Sequence, residues 1–268
     1  MPPRMSMDIE FAVGKNGPMS DFDEPTLWRI SSFERYRLQN GTSAFSQLDG
    51  PTLLPTTLMA DLGRLEREGA DADVLEVVAA CMRHHEAALL CLKLQGLVLP
   101  VTLFPSQGLY HCPRDLQEGS TTLLGHLSVL SVEPPGVRPP GHAQHDRVGQ
   151  AAHYHALPPL LFALAIYGAR SNLLNEIAGA AAYRATRRLA EDGITASGAL
   201  ASAAEAMTRE TVSLKTVAAW PGMSVERARR LLNGLYLVSS LRVTRGHPAA
   251  RSEPKSWLSI LGVSKTRR

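Results

Sequence analysis

SLKTVAAWPGMSVERARRLLNGLYLVSSLRVTRGH, residues 213–247, carries two capped helical stripes and a strand pattern that together define the C-terminal fold. Ser213 stands where it can cap a short helix with Leu214, Val217 and Ala218 turned inward. Pro221-Gly222 then reads as a tight turn. Ser224 is placed to cap a second helix, and Glu226 favours the positive end of that helix. Val225, Ala228, Leu231, Leu232 and Leu235 make its inward stripe, and Tyr236 is expected to join the core. Arg227, Arg229 and Arg230 fall on the outward face. LRVTR (241–245) reads as a strand.

The same region also carries the charge. The chain of 268 residues has 28 Lys+Arg and 25 Asp+Glu, a net +3 that looks almost neutral. Residues 1–210 hold 17 Lys+Arg and 23 Asp+Glu, net −6, whereas residues 211–268 hold 11 and 2, net +9. A basic tail on an acidic body suggests an anionic partner, and the acidic body is itself the nearest one. With 44% hydrophobic and 20% charged residues, the chain can bury a core, which excludes a collagen, a disordered tail or a disulfide scaffold.

Upstream, the elements alternate in character. Residues 1–50 are expected to form a partly disordered leader, in which Phe33, Tyr36 and Leu38 anchor at most a short element. Leu58, Leu62 and Leu65 make a helical stripe that ends before Gly69. Asp73 is placed to cap a second helix with the stripe Val74, Val77, Val78, Cys81 and Met82. AALLCLKL (87–94) and LVLPVTLFP (97–105), separated by Gln-Gly, read as a hairpin. Pro100 points to an edge or bulged second strand. Residues 108–112 and HLSVLSVEP (126–134) add short strands. EPPGVRPPG (133–141) reads as a linker. Beyond it, LPPLLFALAIYG (157–168), SNLLNEIAG (171–179), AAAYRATRRLAEDG (180–193) and ASAAEAM (201–207) all carry helix signals, with Arg184, Arg187 and Arg188 on an exposed face. The expected fold class is α+β. A small N-terminal antiparallel sheet with helices (51–135) precedes a mostly helical C-terminal domain (142–250), followed by a basic tail (251–268).

Helix, turn, helix, strand is the order of a winged-helix core, and residues 211–247 resemble the winged helix-turn-helix family in that pattern. The resemblance covers about a sixth of the chain. It implies either a protein-docking module or a DNA reader whose second helix enters the major groove. In the second case Arg227 and Arg230 would meet bases, and Arg242, Arg245 and Arg251 would reach phosphates. No Asn or Gln stands early in the helix to read adenine, and Asn233 lies late, beside Gly234.

Other motifs carry less. His142, His145, His153 and His155 cluster after the linker. His111, His145, Asp146 and Asp192 form a nominal set resembling HD-type metal phosphohydrolases. That pair normally stands on a helix, whereas here it follows a proline-glycine stretch. Arg184 and Arg188 have the spacing of the PilZ type of cyclic-di-GMP receptor, but the following motif is replaced by DGITASG (192–198). GKNG (14–17) lacks P-loop spacing, and GxSxG, HExxH and GxGxxG are absent. Three cysteines without a CxxC fit a reducing compartment, with Cys81 and Cys91 as buried small hydrophobes. Residues 1–23 carry acids and glycine where a signal peptide needs an apolar run.

The expectation is a non-enzymatic, bacterial-type cytoplasmic regulatory or adaptor protein. It would use no cofactor, have no membrane partner, and act through protein contacts of Arg227, Arg229, Arg230, Arg242 and Arg245. The alternative is a DNA-binding transcriptional regulator using the same face. An HD-type phosphohydrolase is the remote third.

Overall fold

A computed structural model describes residues 27–41, 45, 53–116 and 121–250. Most of the leader and all of the tail beyond Ala250 lie outside these residues. The described chain opens with β1 (Trp28–Arg29) and α1 (Ile30–Asn40). Phe33 of α1 is buried, but Leu38 is 88% exposed and anchors nothing. α2 (Thr56–Arg67) buries Leu58 and Leu65, as its stripe requires. α3 (Val74–His84) is capped by Asp73, whose carboxylate accepts from the amides of Leu75 at 2.9 Å and Glu76 at 3.4 Å. Burial of α3 goes beyond a stripe, because every residue from Val74 to Cys81 is enclosed, including Glu76.

The two apolar runs form β2 (Ala88–Leu94) and β3 (Leu97–Phe104), joined at Gln95-Gly96. β4 (Leu109–His111), the short α4 (Thr121–Leu124) and β5 (Ser128–Glu133) follow. After the proline-rich stretch comes β6 (Tyr154–Ala156). These strands make one antiparallel sheet in the order β5-β2-β3-β4-β6, with β1 beside the start of β3. Alternation along β2 divides the two faces. Ala88, Leu90 and Leu92 join the main core, while Leu89 and Cys91 pack with Phe33 on the other face.

β3 is an interior strand, not an edge. Pro100 is accommodated because β1 pairs with Leu97 and Val98 and β4 begins at Thr102, leaving 99–101 locally unpaired on that side. The register irregularity lies in β2, between Cys91 and Leu92 where it pairs with β5. β6 pairs with β4 from across the proline-rich stretch, and one apolar cluster runs from Leu58 to Val238. Hydrogen bonds and core therefore both cross the boundary drawn at 134–141 from composition.

α5 (Leu157–Tyr167) carries its prolines in the first turn and is apolar on nearly all sides. Beyond it the sequence reading fails twice. Residues 171–179 form turns, not a helix. The alanine-rich segment 180–193 holds β7 (Ala182–Ala185) and a 3-10 turn at Leu189–Asp192. α6 (Gly198–Arg209), β8 (Val212–Ser213), α7 (Leu214–Ala218), α8 (Val225–Leu237) and β9 (Leu241–Thr244) complete the unit. β7 lies at the centre of a second antiparallel sheet, β8-β7-β9. The alanines of β7 override their helix propensity because they sit between two strands at 0–2% exposure, and the hydroxyl of Tyr183 donates to the Ile177 carbonyl at 2.7 Å. The C-terminal part is thus less helical than expected. The central strand of its sheet comes from upstream of residues 211–247.

Candidate functional site

The helix expected to present a contact face, α8, is held from most directions. Ser213 caps α7 by accepting from the Thr216 amide at 3.1 Å, and Ser224 caps α8 by accepting from Arg227 at 3.2 Å. Ala228, Leu231, Leu232 and Leu235 are fully buried, but Val225 is 50% exposed and leaves the inward stripe. Tyr236 is half-buried at the margin. Asn233 and Gly234, in contrast, are enclosed. Gly234 lies against Phe162 of α5, where a Cβ would stand 2.7 Å from the ring. Asn233 uses both ends of its amide: Oδ1 accepts from the Leu174 amide and Nδ2 donates to the Asn172 carbonyl, each at 2.9 Å. A buried amide so matched orders the 170–178 segment without a helix.

The arginines divide into two groups. The Arg230 side chain is 17% exposed and donates to the carbonyls of Ile166 at 2.9 Å and Gly168 at 2.7 Å, closing the C-terminus of α5. Gly168 is required there, since a Cβ would stand 2.2 Å from the Leu164 carbonyl oxygen. Arg229 donates to the Asn172 side chain at 3.2 Å, and Arg227 to the Gly222 carbonyl of its own turn at 2.6 Å. Arg245 donates to the carbonyls of Glu176 and Ala178. The expected outward face is therefore split: Arg227 is exposed, and Arg229 and Arg230 are half-buried. Arg242 differs from all of these. It is exposed on β9, directly opposite Arg184 of β7, and has no ionic partner among the described residues.

The other flank of the 170–178 segment is held by charge. Arg170 pairs with Asp73 at 2.6 Å and with Glu76 at 2.7 Å, and donates to the Leu173 carbonyl. Arg83 bridges Asp61 and Glu176, and His84 meets Asp61 at 2.8 Å. Burial pushes the Glu76 carboxyl above the usual range, even with Arg170 beside it. Burial also acts upward on Asp61, but the hydrogen bond from His84 and the charge of Arg83 outweigh it and hold that carboxyl low. A cavity of about 270 Å³ lies beside this network, lined in part by Asp73, Leu75, Leu124, Leu127, Leu164 and Arg170.

The other candidates are dispersed. His145 and Asp146 are exposed on a 3-10 turn, where Asp146 pairs with Arg147. Asp192 is tied to Arg187 and accepts from the Ser240 hydroxyl. His111 lies on β4, so the nominal phosphohydrolase set is not assembled. Among the described residues no three His, Cys, Asp or Glu converge to hold a metal. His111 instead meets His153 and Tyr154, with ring centroids at 5.7 and 4.9 Å. Burial, with the neighbouring histidines, pushes it down to about 4. All three cysteines are buried and free, and burial pushes the Cys81 and Cys112 thiols up to about 12. No helix among the described residues is long and apolar enough to cross a membrane.

No family model, curated protein or solved structure matches this chain. Its reading therefore rests on its own residues. Sequence reasoning names Arg242 and Arg184 singly and misses that they face one another across β9 and β7; it also misses the packing roles of Asn233 and Gly234. The Asn-Gly pair did leave a signal, because two poor helix formers interrupt an otherwise strong helix. The arginine pair leaves none, since the alanine-rich pattern of 180–193 is helical whereas the segment holds a strand.

Proposed function

We propose that this chain is a non-enzymatic, cytoplasmic regulatory or adaptor protein acting through protein contacts of its winged-helix-like C-terminal unit. The observation that carries this reading is the commitment of the α8 arginines to their own chain. Arg230 closes α5, Arg229 meets Asn172, and Arg227 holds the turn before α8. A groove-reading helix needs those donors free at the moment of contact, and withdrawing Arg230 would leave two carbonyls without their donor. The exposed turn and start of α8, with Met223 half-buried and Val225 exposed, offer a surface better suited to another protein than to phosphates.

The test is in-cell cross-linking of the tagged full-length protein in its source organism, alongside duplex titration at rising salt. A stoichiometric protein partner, with duplex binding absent or unaffected by Arg227→Ala, is the expected result. Duplex binding that falls steeply with salt and is abolished by Arg227→Ala would establish the DNA reading instead. Bound divalent metal and phosphodiester turnover lost in Asp146→Ala would establish the phosphohydrolase.

A further inference from the structure

Among the described residues, the second sheet ends in an open edge at β9, beside a pair of arginines without an ionic partner. β9 pairs with β7 on one side, and none of the residues 241–244 has a backbone partner on the other side among the described residues. Its register places Arg242 opposite Arg184, with Val243 opposite Tyr183 and Leu241 opposite Ala185. Side chains directly opposite in an antiparallel pair share a face, and like charges there repel. Both arginines are exposed. Arg184 is steadied by donating to the Thr208 carbonyl at 3.2 Å, at the last turn of α6. Nearby, Arg188 and Arg209 share a single carboxylate, Glu205. Arg184 and Arg242 make this face basic, whereas the apolar side of the same edge, Leu241 and Val243, is half-buried and open to further cover among the described residues.

We propose that the edge of β9 takes up an extended acidic segment of a partner protein as an added strand, with Asp or Glu side chains on Arg242 and Arg184. Two independent features specify this occupant. The edge calls for a row of peptide N–H and C=O groups, which a nucleic acid does not carry. The arginine pair calls for carboxylates, which a guanidinium binds with two parallel hydrogen bonds. Alternation along the added strand puts acids on the arginine face and apolar residues beside Leu241 and Val243. The proposal rests on the adaptor reading and names the chemistry of its partner.

The test is fluorescence anisotropy with the full-length protein and a labelled peptide of alternating Val and Glu, about eight residues long. Parallel probes are an alternating Val and Lys peptide, a Pro and Glu peptide of equal charge, and a short DNA duplex. The Val and Glu peptide is expected to bind. Arg242→Glu is expected to weaken it by about tenfold or more, and the double variant with Arg184→Glu to transfer preference to the lysine peptide. Thermal melts of both variants confirm that the fold is retained. Equal binding of the Pro and Glu peptide would overturn the strand addition, because proline cannot complete an edge. Duplex binding with the same arginine dependence, and no peptide binding, would make the face a nucleic-acid surface. Binding of no probe would leave Arg242 as a guard against edge pairing. Retention of the cross-linked partner by Arg242→Glu would remove this site while leaving the adaptor reading intact.

Discussion

The arginines of α8 and those of the β7–β9 sheet carry the same charge but do different things. On α8, Arg230 and Arg229 turn back on the chain and close the end of α5 and the segment that follows it. On the sheet, Arg242 and Arg184 face one another across a strand pair, and neither has an ionic partner among the described residues. A net charge counts both groups alike. What distinguishes Arg230 and Arg229 from Arg242 is whether acceptors of the chain lie within reach, and for those two the acceptors are set by the course of residues 166–172. Charge available to a partner is therefore a property of the tertiary structure.

Substitutions in the two regions should have unequal effects. Gly234→Val should have the largest effect, because the new side chain meets the Phe162 ring and separates α8 from α5. A loss of about 3 kcal/mol in urea unfolding is expected. Acid should act on the first sheet and leave the arginine contacts charged. His111 has a folded-state value of about 4 against an ordinary 6.5, so the unfolded chain takes up the proton first. Stability is then full above pH 6.5 and is lost as the pH falls toward 4, by about 3 kcal/mol. His111→Phe should flatten that part of the profile.

Arg230→Ala leaves the Ile166 and Gly168 carbonyls without their charged donor and should cost about 2 kcal/mol. Arg245→Ala, which removes two more exposed carbonyl contacts, should cost about 1 kcal/mol. Arg242→Ala should change stability by less than about 0.5 kcal/mol, and relief of repulsion with Arg184 favours a small gain. A denaturation series at neutral pH checks all three.

The sequence was legible where one period ruled. Leu58 and Leu65 at helical spacing, the Asp73 cap and the Gln-Gly hairpin between two apolar runs all read through to the structure. The capped pair 213–237 and the strand after it did so as well. Legibility failed where partners distant in sequence decide the backbone. Ser171 and Gly179 look like helix ends, but the amides of Leu174 and Asn175 between them are claimed by Asn233 and Glu76. Alanine at 180–185 favours a helix in isolation, whereas here its small size admits a central strand. Of the arginines named from the helical pattern, Arg227, Arg229 and Arg230 were placed on the right element. Whether Arg229 and Arg230 remain available depends on the path of 166–172, a path no local pattern carries.

Arginine reactivity separates the two groups most directly. Phenylglyoxal modification of the native full-length protein, followed site by site by mass spectrometry, compares Arg230 with Arg242 in one sample. Arg242 should react fast and Arg230 slowly, with the two rates converging once the protein is unfolded in urea. Equal native rates for Arg230 and Arg242 would contradict the division between structural and available arginines.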